Sequence, residues 1–164
     1  MRRSTRDEEF TAYVKGRQRH LLRVAHYLCG DVHQAEDLVQ STLTKLYAAW
    51  PRVSRADDVD SYVRRALVNS VKDEYRRPWR REHAVADPAL GASPTGLELV
   101  DADELMRALQ ALPLAQRRVV VLRHYWGLSV EEVATTLDVP TGTVKAYTSR
   151  ALASLAAALQ PQPH

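Results

Sequence analysis

The 164 residues include one cysteine, one phenylalanine, two methionines and six glycines. A lone cysteine, Cys29, excludes an internal disulfide and a Cys-rich zinc site. Aromatic residues make up only 7% of a chain that is 45% hydrophobic, so its apolar surface is mainly aliphatic. Runs of β-branched residues are short, and Ala, Leu, Arg and Glu dominate, a composition that favours helices. No apolar run approaches the roughly 20 residues that span a bilayer. The start Met1-Arg-Arg-Ser-Thr-Arg6 lacks the apolar segment of a secretion signal. A cytoplasmic protein without membrane contact is expected. A Gly-rich phosphate loop, Cys-x-x-Cys, His-Glu-x-x-His and Gly-x-Ser-x-Gly are all missing. His20, His26, His33, His83, His124 and His164 are scattered without ligand spacing. Asp57, Asp58 and Asp60 lack the spacing of a calcium loop and read as helix caps. No enzyme, cofactor, metal or small-molecule substrate is expected.

Charge is present, and unevenly placed. The net charge is +3, but Met1–Arg81 holds 17 basic and 11 acidic residues, whereas the remainder holds 6 and 9. The two halves should therefore meet different partners. The acidic C-terminal half alone should bind DNA weakly, because neutralising phosphates supplies much of the affinity.

The spacing predicts an all-α chain of two small helical domains joined by a flexible linker. Phe10, Tyr13, Val14, Leu21, Val24, Ala25 and Leu28 mark a helix over Asp7–Cys29, closed by Gly30. Asp31 suits the cap of a second helix, Val32–Trp50, closed by Pro51, with Ala35, Leu38, Val39, Leu43, Leu46 and Tyr47 inward and Glu36, Asp37 and Gln40 outward. After a polar loop, a third helix runs from Asp60–Ser61 to Arg77. Its apolar face is Tyr62, Val63, Ala66, Leu67, Val71 and Tyr75, with Arg64, Arg65, Asn69, Lys72 and Arg76 around it. Arg76, Arg77, Arg80 and Arg81 interleave with Tyr75 and Trp79, as on surfaces that pair phosphates while stacking bases. A solvated basic helix end would read the same way. Residues 82–98 carry two Pro, two Gly and no sustained period, and form the linker. Periodicity returns from Leu97 to Leu112, and again from Ala115 to Tyr125.

Ser129 to Leu155 has the parts of a helix-turn-helix. Ser129 suits an N-cap, Glu131 and Glu132 suit the positive helix start, and Val130, Val133, Ala134 and Leu137 form one stripe. Pro140 stops that helix, and Asp138 stands where such turns commonly have Gly. Thr141 or Thr143 can cap a second helix with Val144, Thr148, Ala151, Leu152 and Leu155 inward. Lys145, Tyr147, Ser149 and Arg150 on its outer face supply groups able to reach bases or phosphates in a major groove. A plain helical hairpin would share this pattern.

Taken together, the motifs resemble those of bacterial RNA polymerase sigma factors of the extracytoplasmic-function (ECF) group, in the sigma-70 family. Ala35-Glu-Asp-Leu-Val-Gln40 looks like region 2.2, Tyr62–Asp73 with Arg76-Arg77 like the segment reading the promoter −10 element, and Leu109–Arg117 with Val121–Tyr125 like region 4.1. Ser129–Ala134 with Gly142–Lys145 and Arg150-Ala151 looks like region 4.2, which reads the −35 element. The resemblance implies residues 1–81 as sigma region 2, 82–98 as linker and 99–160 as region 4. It implies polymerase binding by Glu36, Asp37, Leu38, Val39 and Gln40, and −10 contacts by Arg64, Arg65, Asn69, Lys72, Arg76 and Arg77. It implies −35 contacts by Thr143, Lys145, Tyr147, Ser149 and Arg150. The loop Arg52–Asp60 would hold a base flipped from the non-template strand. Partners would be the clamp and flap of core RNA polymerase, promoter DNA and, where inhibition operates, an anti-sigma factor. Proteolysis acting on the Gln160–His164 tail is another route of control. The competing readings are a stand-alone helix-turn-helix transcriptional regulator and a purely structural adaptor.

Overall fold

The computed structural model describes residues 3–55, 58–76 and 102–160, with side chains from Ser4 to Val71 and again from Ala102. Among them every regular element is helical: α1 (Arg3–Cys29), α2 (Val32–Val53), α3 (Val59–Arg76), α4 (Ala102–Ala111), α5 (Leu114–Val120), α6 (Val130–Leu137) and α7 (Thr141–Leu159). α5 passes into a π-helical turn, Val121–Tyr125. The expected linker lies outside the described residues.

The first three helices form one bundle. Leu21, Val24, Ala25 and Leu28 of α1 meet Leu38, Val39, Leu43 and Leu46 of α2 and Val63, Leu67 and Val71 of α3, all buried. Asp31 caps α2 by accepting from the Gln34 N–H at 3.0 Å. Asp58 does the same for the start of α3, accepting from the Ser61 N–H at 2.9 Å. Asp60 instead ties α3 to α1, receiving the Tyr13 hydroxyl at 2.6 Å and an ion pair from Arg17 at 2.8 Å. No metal-competent cluster occurs among the described residues.

Pro51 does not close α2, which continues to Val53. A proline has no N–H for the carbonyl one turn back, here that of Tyr47. The Arg6 guanidinium of α1 donates to that oxygen at 2.6 Å and lies over the Tyr47 ring. Trp50 and Val53, 4% and 3% exposed, hold the extra turn in the core. Phe10 meets Tyr47 and Trp50 edge-on at 5.1 and 5.6 Å, so an aromatic group packs the first turns of α1 against the last turns of α2.

The bundle core continues into the C-terminal helices through Leu109, Leu112, Val120, Val121 and Ala151, and a second core gathers Val119, Leu122, Leu128, Val133, Ala134 and Val144 with Val68 of α3. Leu152 departs from expectation: it is 43% exposed rather than inward. It borders a cavity of about 390 Å³ that Arg23 and Tyr27 of α1 share with Leu105, Leu109 and Leu155.

Candidate nucleic-acid interface

The helix-turn-helix is built from local chemistry. Ser129 accepts from the Glu132 N–H at 3.1 Å while the Glu132 carboxylate accepts from the Ser129 N–H at 3.0 Å, a reciprocal cap. That bond holds the Glu132 carboxyl below its ordinary range, with Arg64 adding a smaller pull. Asp138 ends α6 in the left-handed conformation, φ 56° and ψ 52°, and donates its N–H to the Ala134 carbonyl. Val139 donates to the same carbonyl at 3.0 Å. Neither Thr141 nor Thr143 caps α7; Pro140 does, without a side-chain bond. Its carbonyl receives the N–H groups of Thr143 and Val144, so the first turn is closed through the backbone. Val133 and Ala134 of α6 and Val144 of α7 share the buried contact.

This arrangement turns one face of α7 outward. Lys145, Ser149 and Arg150 are exposed, and Thr143 and Tyr147 are half-buried at its edge. The Arg150 guanidinium stands 5.9 Å from the centre of the Tyr147 ring. No acidic residue occurs between Thr141 and Leu159, so the charge on this face, from Lys145 and Arg150, is all positive. A helix N-terminus bearing such groups matches what enters a major groove.

The residues expected at the −10 element are distributed differently. Asn69 and Arg65 are exposed, but Arg64 is only 7% exposed. Arg64 Nη2 donates to Ser61 Oγ at 3.0 Å, and its guanidinium lies 5.8 Å from the Trp126 ring. Arg65 donates to the Thr135 carbonyl of α6 at 3.3 Å. Lys72 and Arg76 belong to the last turns of α3, and Arg77 falls outside the described residues. On α2, Glu36, Asp37 and Gln40 stand exposed as a polar ridge. Leu38 and Val39, 3% and 0% exposed, do not belong to that surface. Their spacing from Ala35, Leu43 and Leu46 turns them into the bundle core, so they carry the ridge rather than form it.

Three positions not singled out in the sequence join the two modules. Arg117, 3% exposed, donates to the carbonyls of Leu28 at 2.7 Å, Leu109 and Leu112 at 2.9 Å and Gln110 at 3.1 Å. Gln110 donates to the Tyr27 carbonyl at 2.9 Å. Val68, 1% exposed, lies on α3 yet belongs to the C-terminal core. A fourth, His20, stacks on Tyr125 at 5.5 Å and meets Trp126 edge-on at 4.7 Å. Burial pushes its pKa down, helped by Arg17. The available signals were the Arg117–Arg118 pair set between the apolar residues Leu112, Leu114 and Val119–Val121, and an apolar Val68 beside the full stripe position Leu67.

Two family models match the chain. Residues 13–81 match the model of Sigma-70 region 2, and residues 102–155 that of Sigma-70, region 4. The chain is 38% identical over 149 residues to an RNA polymerase sigma-E factor of Streptomyces avermitilis, covering 90% of this chain and 83% of that protein. It is 30% identical over 136 residues to the ECF RNA polymerase sigma factor EcfG of Rhodopseudomonas palustris, covering 80% and 75%. The sigma factor RpoE of Bartonella quintana, solved with its anti-sigma factor NepR, superposes with a TM-score of 0.78 at 25% identity, covering 92% and 96%.

Proposed function

The chain belongs to the sigma-70 family of RNA polymerase sigma factors, in the ECF group, and from that we propose how its surfaces divide the work of promoter-specific initiation. Residues 1–81 act as region 2, 82–98 as the linker and 99–160 as region 4. The observation that carries this reading is the acid-free outer face of α7, with Lys145, Ser149 and Arg150 exposed on a capped helix-turn-helix. Lys145 and Arg150 read the −35 element, with Thr143, Tyr147 and Ser149 beside them. A bidentate arginine–guanine pair discriminates by about 1–3 kcal/mol. Asn69 offers an amide to an unpaired −10 base, and Arg64, Arg65, Lys72, Arg76 and Arg77 hold the separated backbone. Glu36, Asp37 and Gln40 meet a basic face of the polymerase clamp. Extruding a base costs a few kcal/mol, which polymerase offsets by holding both modules on the promoter.

The protein works by binding rather than by turnover. No described helix is long and apolar enough to cross a membrane, and we place the protein in the cytoplasm with its polymerase. Where it is held inactive, an anti-sigma factor is the partner we propose, as RpoE of Bartonella quintana has in NepR. The test is run-off transcription with core polymerase and a library of promoter fragments. Transcripts should begin downstream of a shared pair of elements only when the protein is present. Lys145→Ala or Arg150→Ala should change the upstream preference and Asn69→Ala the downstream one. Sequence-specific duplex binding with no effect on polymerase would instead favour a stand-alone regulator.

A further inference from the structure

We propose that the cavity between α1 and the C-terminal helices is a binding site for a small amphiphilic anion, an aliphatic body ended by a carboxylate. No residue assigned above to promoter DNA or to polymerase lines it, so the inference does not rest on that reading. Leu105 and Leu109 of α4 and Leu152 and Leu155 of α7 enclose about 390 Å³, a volume within the range of small-molecule sites. The π-helical turn supplies Val121, His124 and Tyr125 to the same lining. Single π turns are rare and recur at functional sites. Tyr27 of α1 completes the wall, packed edge-on to Tyr125 at 4.9 Å. Leu152 is the one exposed large apolar side chain among the described residues, and it lies here.

Charge selects the head group. Apart from the two tyrosines, the polar side chains of the lining are Arg23 and His124, and no described acidic residue joins them. Arg23 makes no hydrogen bond or ion pair among the described residues, so its planar fork is available to a carboxylate. Arg23 is half-buried and His124 exposed. A head group held there stays near water while its apolar body covers Leu152. The aliphatic remainder of the lining favours a hydrocarbon chain over a polar body. The site is also built beforehand. Gln110 donates to the Tyr27 carbonyl at 2.9 Å, and Arg117 to that of Leu109 at 2.9 Å, so two lining positions are pinned through their backbones. The core shared by α1, α4 and α7 fixes the helices themselves. A preformed site spares the ligand the cost of ordering its walls. A ligand touching α1, α4 and α7 at once binds the folded chain alone, and so stabilises it.

The test is isothermal titration calorimetry of the full chain with sodium octanoate, kept below the concentration at which it forms micelles, and with 1-octanol and octylamine as neutral and cationic counterparts. Octanoate should bind once per chain with Kd below about 1 mM, within what roughly ten non-hydrogen atoms can supply. Octylamine should bind at least about 10-fold more weakly, since it meets a cation where octanoate meets a partner. Arg23→Gln should weaken octanoate by about 10-fold, the loss expected for one charge-assisted bond, and leave 1-octanol within about 2-fold. Leu105→Trp, which fills the cavity, should abolish the binding of both. Where circular dichroism shows that Leu105→Trp has lost helix, Leu155→Trp takes its place. Absence of saturable octanoate binding by the wild type overturns the site, and so does undiminished binding by a folded cavity-filling variant. Equal octanoate affinity in Arg23→Gln, or octylamine binding as tight as octanoate, overturns the anionic ligand. None of these readouts involves promoter DNA or polymerase.

Discussion

Arg117 should be among the most costly single residues to replace, although it touches no proposed partner. Its guanidinium sits where two helices end. Leu28 is the penultimate residue of α1, and Leu109, Gln110 and Leu112 surround the end of α4, so the four carbonyls it meets lie where a helix leaves oxygens without a partner. Both helix dipoles present negative ends to the same cation. Four charge-assisted bonds would sum to more than the effect expected, because burying the charge itself costs several kcal/mol. Removing a buried charged partner typically costs about 3–5 kcal/mol, against a total stability of about 5–15 kcal/mol for a domain. We therefore predict that Arg117→Met loses about 3–5 kcal/mol in urea unfolding followed by circular dichroism. Arg117→Lys keeps the charge but not the planar fork, and should lose less. Since Arg117 joins α1 to α4, its loss should also separate the unfolding of the two modules into two steps. A loss below about 1 kcal/mol for Arg117→Met would falsify the clamp, because the four carbonyls would then find equivalent partners without it.

Two further outcomes follow from single observations. Gly16 lies within α1 with nothing inside 4 Å of where a Cβ would sit, so Gly16→Ala should raise stability by about 1 kcal/mol in the same assay; no gain would mean that α1 is not continuous there. Burial holds His20 and His26 below the ordinary histidine value of 6.5, so on acidification the unfolded chain takes up those protons first. Their stabilisation is complete above about pH 6.5 and declines below it. The charged groups acting on His20 are Arg17, Arg23 and Asp60, and on His26, Asp31. Thermal unfolding between pH 7.5 and 5.5 should show this decline, and His20→Gln should flatten it; an unchanged slope in the variant would clear His20. Asp58 and Glu132, whose carboxyl pKa values are lowered by their cap bonds, act in a separate and more acidic window.

Local chemistry made much of the fold readable. Asp31, Ser129, Pro140 and the left-handed Asp138 act at the ends of elements, where one residue's hydrogen bonds or φ angle decide the outcome. Pro51 misled because the rule it breaks is local while the remedy is not: Arg6, 45 residues upstream in the sequence, supplies the donor that proline lacks. Leu152 misled for a related reason. Helical spacing places it beside Ala151 and Leu155, but whether that side is covered depends on how α4 and α1 approach α7. Arg117 and Val68 were hidden because periodicity says which positions turn inward and not how many neighbours an element has. A buried arginine reads as an interruption of an apolar stripe until the carbonyls around it are known.

The two faces of α3 show what that missing information means for function. Val63, Leu67 and Val71 are four apart and lie on one stripe, each 0% exposed. Arg64 and Val68 form a second stripe about 100° around the helix. If α3 served only to join two cores, an aliphatic residue at 64 would suit the second stripe as it suits the first. Arg64 is instead an arginine whose Nε is buried without a hydrogen-bond partner among the described residues, and whose acidic neighbours Asp58 and Glu132 stand 4.0 Å away. Burying a guanidinium with incomplete pairing is unfavourable, so this contact is weaker than its burial suggests. On the proposed assignment of Arg64 to −10 DNA, the backbone of a separated strand would be a second environment in which the guanidinium is well paired.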